Sequence, residues 1–244
     1  MHVRYLNIAV LGLLFLGLST SIASADAVIK KNYLNYNGYR YYKGSAQQLE
    51  LGDWCDKKTP ITAANYCDQK GTLKGLINQV TVSRFEVKQS GSTVVNVLGN
   101  FSIPLLGWGL KGDDFVKKVF DGEYVFLHIS IDNEEKFKKD INKNAGKIND
   151  LKQKDSYRIV DSIVLVVKGS EATSLGIKHE GNFKGTWNGM KLTVDSDVQS
   201  ETARQFEPEK GTVYAYGLKK IKWDATREKK RTEIEELKND PHGP

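Results

Sequence analysis

The chain has 244 residues and a formal net charge of +6, from 36 basic and 30 acidic residues. The basic residues are mixed with acidic ones along the whole chain, so the charge does not favour nucleic-acid binding. Two cysteines and four histidines leave few ligands and nucleophiles, and the sequence predicts no metal site and no cofactor.

Residues 1–25 have the layout of a secretory signal peptide. Arg4 precedes an almost wholly apolar stretch from Ile8 to Leu18, and Ala23-Ser24-Ala25 supplies the small residues of a cleavage site. The apolar stretch is shorter than the ~20 residues that a membrane-spanning helix needs. We therefore expect an exported protein, periplasmic or secreted, that is cleaved after Ala25.

Tyr33 to Tyr42 read YLNYNGYRYY, which places Asn37-Gly38 at the centre of a predicted β-hairpin. Pairing outward from this turn sets Tyr36 opposite Tyr39 on one face and Tyr33 opposite Tyr42 on the other. Since one face of the hairpin can join a core, we expect at least Tyr33 and Tyr42 to point away from that core.

The aromatic rings in and near this hairpin are candidates for a contact surface. Tyrosine and tryptophan are enriched in protein interfaces, and their flat amphipathic rings stack against sugars. The alternative is that most of these rings cover a β-sheet as ordinary core. The candidate binding residues are Tyr33, Tyr36, Tyr39, Arg40, Tyr42, Trp54 and Trp108.

Cys55 and Cys67 are predicted to form a disulfide, because a lone pair of cysteines in an oxidising compartment most simply pairs with itself. Both lie in a polar passage from Gly44 to Gly75 that has too few apolar residues for a core of its own. We expect an irregular surface segment there, with Trp54 packed beside the disulfide. Residues 26–76 are assigned to an aromatic hairpin and disulfide-stapled extension, and 77–224 to a β-rich main domain.

The main domain begins with strand patterns. Ile77 to Gln89 changes its inward parity midway, as a β-bulge near Ser83 or Arg84 would produce. Thr93 to Ile103 and Tyr124 to Ile131 are further predicted strands.

Asp132 to Lys152 changes to a helical period. Asp132 and Glu135 have the spacing of a capping box, and the sequence predicts one amphipathic helix over about 133–152 that packs on the sheet. Its other face is rich in lysine, which suits contact with an anionic membrane as well as ordinary solvation. The apolar stripe consists of Phe137, Ile141, Ala145, Ile148 and Leu151.

The densest apolar run of the predicted mature chain is Tyr157 to Lys168. A short continuous run rich in β-branched residues is typical of a strand that is covered on both faces, so this run is predicted to be the central strand. The charged residues Arg158 and Asp161 indicate that the beginning of this strand is more hydrated than its end.

A second hairpin is predicted over Asn182 to Asp195, with Asn188-Gly189 as its loop and Trp187 opposite Met190 on a buried face. Gly211 to Trp223 predicts the last strand. Residues 225–244 have charges at i,i+4 spacing and few apolar side chains, and they predict a charged C-terminal helix or a frayed end.

Residues suited to catalysis are scarce. His128 lies in a predicted strand as a half-buried histidine, and no nucleophile elbow surrounds a serine. The pair Asp113-Asp114 and the pair Asp195 and Asp197 are candidates for a glycan hydrolase, which needs two carboxylates. Adjacent exposed acids are, however, ordinarily solvated loop charge.

The predicted fold is β-rich α+β, mostly antiparallel with about seven to nine strands, in a sandwich or half-open barrel. The predicted function is that of an exported non-catalytic binding protein of the cell envelope or the secreted fraction, which contacts a protein partner or an envelope glycan. The alternatives are a secreted glycan or peptidoglycan hydrolase and a carrier of a lipid or small molecule.

Overall fold

The computed structural model describes residues 27–63, 65–87, 112–177, 181–188, 191–194, 204–206, 213–224 and 232–240. The predicted signal peptide lies outside the described residues, as do Trp108, Asp195, Asp197 and the strand predicted from Thr93 to Ile103.

Thirteen strands and four α-helices occur in the described part of the chain. The strands are β1 (Val28–Ile29), β2 (Tyr33–Tyr36), β3 (Tyr39–Tyr42), β4 (Asp53–Lys57), β5 (Cys67–Thr72), β6 (Gln79–Phe85), β7 (Tyr124–Ile131), β8 (Tyr157–Lys168), β9 (Gly181–Asn188), β10 (Lys191–Val194), β11 (Arg204–Phe206), β12 (Val213–Trp223) and β13 (Ile234–Asn239). The helices are α1 (Gly112–Phe120), α2 (Glu134–Asn142), α3 (Ala145–Leu151) and α4 (Gly169–Ser174).

All thirteen strands belong to one antiparallel sheet that does not close on itself. Its main path runs β1-β2-β3-β12-β8-β7-β6-β9-β10-β11, while β4 pairs with β8 and β5, and β13 pairs with β12. The sheet therefore branches at β8 and β12. The β-rich α+β class is confirmed, with more strands than expected, and β8 is the predicted central strand.

Two hydrophobic clusters cover the centre of the sheet. In β7, Val125 and Leu127 belong to the larger cluster, whereas Tyr124 and Phe126 belong to the smaller one. Because successive side chains of a strand point to opposite faces, the two clusters lie on opposite sides of β7.

The prediction of a β-bulge in β6 is wrong. Every residue from Val80 to Phe85 pairs in unbroken register with β7. The change of apolar parity has another cause, since Val80 and Val82 pack in the larger cluster and Phe85 packs in the smaller one. A strand with a core on each face can carry apolar residues on both parities.

The first hairpin has the predicted register, with Tyr33 opposite Tyr42 and Tyr36 opposite Tyr39. Asn37 and Gly38 have φ values of 52° and 77°, which a two-residue hairpin turn of this kind requires. The expectation that Tyr42 looks away from the core is wrong, because Tyr42 is fully buried. Its strand continues into the sheet through β12, and both faces of β3 are covered there.

Cys55 and Cys67 form the predicted disulfide, with Cα atoms 5.3 Å apart. The segment around them is regular, contrary to expectation, because β4 and β5 form an antiparallel pair and β4 also pairs with β8. The described parts of 26–76 and 77–224 thus share one sheet. Their division into an extension and a main domain stays a prediction.

The helix predicted over about 133–152 is two helices, α2 and α3. Asn133, not Asp132, caps α2, and its Oδ1 accepts a hydrogen bond from the Lys136 N–H at 2.8 Å. Asn144 caps α3 in the same way, with the Lys147 N–H 3.2 Å away. This second cap starts a new helix inside the apolar pattern, and Ala145 of the predicted stripe is exposed. The rest of the stripe packs in the larger cluster.

The second hairpin forms with a shifted register. Trp187 pairs with Leu192 and Asn188 with Lys191, whereas the sequence predicts Trp187 opposite Met190. Each residue of the first strand pairs with a residue two positions further along the chain than predicted. A shift of two positions keeps the same side chains on the buried face. Trp187 and Leu192 are accordingly buried, as predicted. Gly189 and Met190 lie outside the described residues.

The prediction of a charged C-terminal helix is wrong for the described part of the tail. Ile234–Asn239 is strand β13, which pairs with β12 and buries Ile234 and Leu237. Helix propensity is a weak prior, and the hydrogen-bonding edge of β12 overrides it. Glu235 forms its ion pair across the strands, with Lys222 at 2.8 Å.

Candidate functional site

A cleft of about 310 Å³ lies where the sheet branches. β3 pairs with β12 only through Tyr42 and Tyr216, and β13 pairs with β12 from Lys219 onward. The cleft occupies the gap between these two contacts. Its lining residues are Asn35, Gly38, Tyr39, Arg40, Tyr41, Asp161, Ser162, Gly217, Leu218, Asn239 and Asp240.

Asp161 reaches the cleft because of an irregularity in β8. Ser162 pairs with Gly217 and Val160 with Leu218, so Asp161 is an extra residue without a ladder partner in β12. Glycine at position 217 leaves room for it. A Cβ atom there would collide with the Ser162 hydroxyl and would lie 3.0 Å from Asp161 Oδ1, and close approach of this kind is a common reason for glycine inside a strand.

The Asp161 carboxyl group is partly shielded from water, with a side chain that is 23% exposed. Oδ1 accepts a hydrogen bond from the Ser162 hydroxyl at 3.1 Å, and Lys219 Nζ lies 3.8 Å from Oδ2. Burial raises the pKa of Asp161, and Lys219 and Ser162 offset only part of that rise. A carboxyl group in this state can donate a hydrogen bond when protonated and accept one when ionised.

Asp240 forms the end wall of the cleft. Its carboxylate is paired with Lys57 Nζ at 2.9 Å and with Arg158 Nε, and its backbone N–H donates to the Leu218 carbonyl at 2.9 Å. The three charged side chains are between 6% and 11% exposed. Both cations contact Oδ2 of the carboxylate, and they balance its charge and hold Asp240 in place in the wall.

A group of uncharged polar side chains extends inward from Tyr41. The Tyr41 hydroxyl lies 3.1 Å from His128 Nε2, and the Ser83 hydroxyl lies 3.5 Å from His128 Nδ1. Burial lowers the pKa of His128 to about 4 and raises the pKa of Tyr41 far above its usual value. Both groups are therefore neutral near pH 7, and they hold the cleft wall by hydrogen bonds.

Tyr39 and Arg40 are the predicted binding residues that line the cleft. Tyr39 is 49% exposed. The Arg40 guanidinium lies over the ring of Tyr33, 4.8 Å from its centroid, which fixes the orientation of the charged group by a cation–π contact.

Tyr36, Tyr42 and Trp54 lie in the interior, although the sequence offers them as contact residues. Tyr36 stacks on Phe85 with ring centroids 4.1 Å apart, and Trp54 packs on Tyr157 at 4.8 Å. The contact assignment itself stays a prediction, and burial restricts it to the turn end of the first hairpin. Trp108 lies outside the described residues.

Sequence reasoning misses the opposite wall of the cleft. Asp161 carries a signal, because a charged residue inside the densest apolar run needs partners if it is buried. Asn239 and Asp240 carry none, since the tail pattern favours a helix and gives no reason to place them beside β12.

The acidic pair Asp113-Asp114 lies in α1. Asp114 is exposed and is not among the residues that line the cleft. On the lysine-rich face of α2, Lys138 pairs with Glu135 and Lys143 with Asp140, which reduces the net charge of that surface. Membrane contact through these helices stays a prediction.

Comparison of the chain with protein-family models, with curated proteins and with solved structures found no match. None of the helices in the described part of the chain has the length and apolar content that a membrane crossing requires. The cleft is therefore interpreted from its own geometry.

Proposed function

We propose that this protein is an exported, non-catalytic binding protein that takes part of a glycan chain into the cleft. The observation that carries the proposal is that one concave site is lined by the half-exposed Tyr39 together with Asn35, Arg40, Asp161 and Asn239. A tyrosine ring packs on the apolar face of a sugar, and amide, carboxyl and guanidinium groups match hydroxyl groups that donate and accept.

The size and polarity of the cleft support a small polar ligand. Its volume of about 310 Å³ lies at the lower end of the range of about 300–1,000 Å³ for ligand pockets. Pockets for apolar ligands are lined mainly by hydrophobic side chains. The cleft is lined mostly by polar ones, so a sugar unit suits it better than a lipid.

A protein partner is less well supported by the same surface. A standard protein interface covers about 800 Å² on each partner, with exposed aromatic residues near its centre. Among the described residues, Tyr39 and Phe120 are the exposed large hydrophobic side chains, and they lie on different elements, β3 and α1. They do not form one aromatic patch.

Export is the other part of the proposal, and it rests on the signal-peptide pattern of residues 1–25. The buried disulfide is compatible with it, since disulfides persist in oxidising compartments.

A glycan array tests the function, with the oxidised protein of residues 26–244 as the probe. We expect retention on a related group of glycans, confirmed by titration calorimetry with the best oligosaccharide. Tyr39→Ala should weaken that binding about tenfold, which corresponds to ~1.4 kcal/mol. The bound oligosaccharide should be recovered uncleaved after long incubation.

The matched control is Phe120→Ala, which removes an exposed aromatic ring on α1 and should leave the affinity unchanged. Absence of any retained glycan, or equal affinity for the wild type and Tyr39→Ala, would refute glycan binding in this cleft. Cleavage of the bound oligosaccharide would refute the non-catalytic part of the proposal.

A further inference from the structure

The charge of Arg40 is not balanced by an acidic side chain within the described part of the chain. Arg40 lines the cleft, and its described contact is the ring of Tyr33, which orients the guanidinium without neutralising it. Asn35 pairs with Arg40 across the hairpin. Side chains of directly opposed residues lie on the same face of a strand pair, so an amide group stands beside the guanidinium.

The acidic groups of the cleft already have cationic partners. Asp240 is paired with Lys57 and Arg158, and Asp161 faces Lys219. Lys219 also pairs with Glu134. These six residues and Arg40 together carry four positive and three negative side chains, so the excess charge among them is positive and resides on Arg40.

We infer that the preferred ligand of the cleft is a saccharide unit that carries a carboxylate, such as a uronic acid, with its carboxylate on Arg40. This inference rests on the proposed function. A guanidinium presents a planar fork of donors that matches a carboxylate with two parallel hydrogen bonds. The Asn35 amide adds a donor or acceptor beside that contact, and Asn239 on the opposite wall is available to hydroxyl groups.

The placement of Arg40 favours this use over a purely structural one. A guanidinium that only stabilised the hairpin would be expected to pair with a neighbouring carboxylate, as Arg158 does with Asp240. Arg40 is instead stacked at the edge of a cleft. A pre-oriented donor loses less conformational entropy when a ligand binds.

The test compares a uronic acid disaccharide with its methyl ester, which differs by the loss of the negative charge. Calorimetry on the oxidised protein should give about 10- to 100-fold tighter binding for the acid, the range expected for a hydrogen bond to a charged group. Arg40→Gln should bring the two affinities within about twofold of each other. Arg40→Lys, which keeps the charge and loses the fork, should retain an intermediate preference.

Lys139→Gln is the charge-matched control, because it removes one positive charge from the exposed face of α2 and should leave the preference intact. Thermal unfolding of each variant checks that the fold is kept. Equal binding of acid and ester to the wild type, with both weakened by Tyr39→Ala, would overturn the inference and leave glycan binding standing. Neutral glycans as the only ligands on the array would also overturn the inference, and no binding to any glycan would remove both.

Discussion

The Tyr42 hydroxyl donates a hydrogen bond to the backbone carbonyl of Asp240 at 3.0 Å, and so connects two residues that are 198 positions apart in the chain. Tyr42 ends β3 of the first hairpin, and Asp240 directly follows β13. The two walls of the cleft are thus joined by one buried hydrogen bond at its edge. The N-terminal hairpin and the last described strand depend on each other for their relative position.

Replacing Tyr42 with phenylalanine tests this connection. The ring stays beside Tyr66 and Tyr216, and only the hydroxyl is lost. We expect the free energy of unfolding to fall by about 1 kcal/mol, the usual net contribution of one hydrogen bond, in urea unfolding at pH 7. A fall of more than about 3 kcal/mol would show that the ring packing had been disturbed as well.

Asp240→Asn should be more damaging than Tyr42→Phe. The change leaves Lys57 and Arg158, both nearly inaccessible, without a negative partner. Removing one member of a buried ion pair typically costs about 3–5 kcal/mol, and we expect a loss near 3 kcal/mol because Lys57 can release its proton. Burial and the nearby Arg158 lower the pKa of Lys57 even in the wild type.

The control for Asp240→Asn is Glu236→Gln on β13, whose half-exposed carboxylate pairs with Lys238 at 3.4 Å. An exposed ion pair contributes little, about 0–1 kcal/mol. Equal urea midpoints for the two variants would contradict the view that the Asp240 cluster holds the end of β13.

Gly217→Ala should close part of the cleft. The added methyl group would displace the Ser162 hydroxyl and the Asp161 carboxyl, and overpacking of this kind costs about 1–3 kcal/mol. Glycan affinity measured by calorimetry should fall together with stability. Gly75→Ala is the comparison, because a Cβ atom there meets nothing within 4 Å, and that variant should keep the affinity of the wild type.

Short-range features of the fold are predictable from the sequence. The register of the first hairpin follows from Asn37-Gly38, because this dipeptide fixes the turn and the turn fixes the pairing. The strand at Tyr157–Lys168 follows from its composition. Both signals are contained within about a dozen residues.

Features that depend on distant partners are not predictable in this way. The parity change in β6 suggests a bulge unless a second hydrophobic cluster is known to cover the other face. The tail pattern suggests a helix unless the free edge of β12 is known. The cleft combines both difficulties, since the hairpin wall meets Asp161 and Asn239 only through the branching of the sheet.

Removal of the disulfide should destabilise the protein mainly through its unfolded state. Cys55 and Cys67 are 12 positions apart, and closing a loop of that size contributes about 3 kcal/mol in the chain-entropy model. We expect a loss of this size in urea unfolding of Cys55→Ala with Cys67→Ala, compared with the oxidised wild type. The reduced wild type should match the double variant within about 1 kcal/mol, and a much smaller loss would show that the β4–β5 pair holds without the crosslink.

Asp53→Asn should stabilise the protein at neutral pH and have little effect in acid. Asp53 is buried, and its Oδ2 accepts hydrogen bonds from the Glu50 N–H at 2.8 Å and from Gln69 Nε2 at 2.7 Å. Burial raises the pKa of Asp53 to about 6 from an ordinary value of 3.8, although the hydrogen bond from Glu50 acts in the other direction. Asparagine can accept the same hydrogen bonds without a charge.

The direction of this pH dependence follows from proton binding to Asp53. Between pH 3.8 and about 6 the folded protein holds a proton on Asp53 that the unfolded chain has released, so this group stabilises the fold in acid and ceases to do so as pH rises through about 6. We expect Asp53→Asn to raise the free energy of unfolding by about 1–2 kcal/mol at pH 7.5 and by little at pH 4.

His128, whose pKa is lowered to about 4 by burial, has the opposite effect on stability, because it destabilises the fold as pH falls below about 6.5. Variant and wild type are therefore compared at each pH, with Asp68→Asn on the more exposed part of β5 as the control. An equal effect of Asp53→Asn at both pH values would show that Asp53 is not the titrating group.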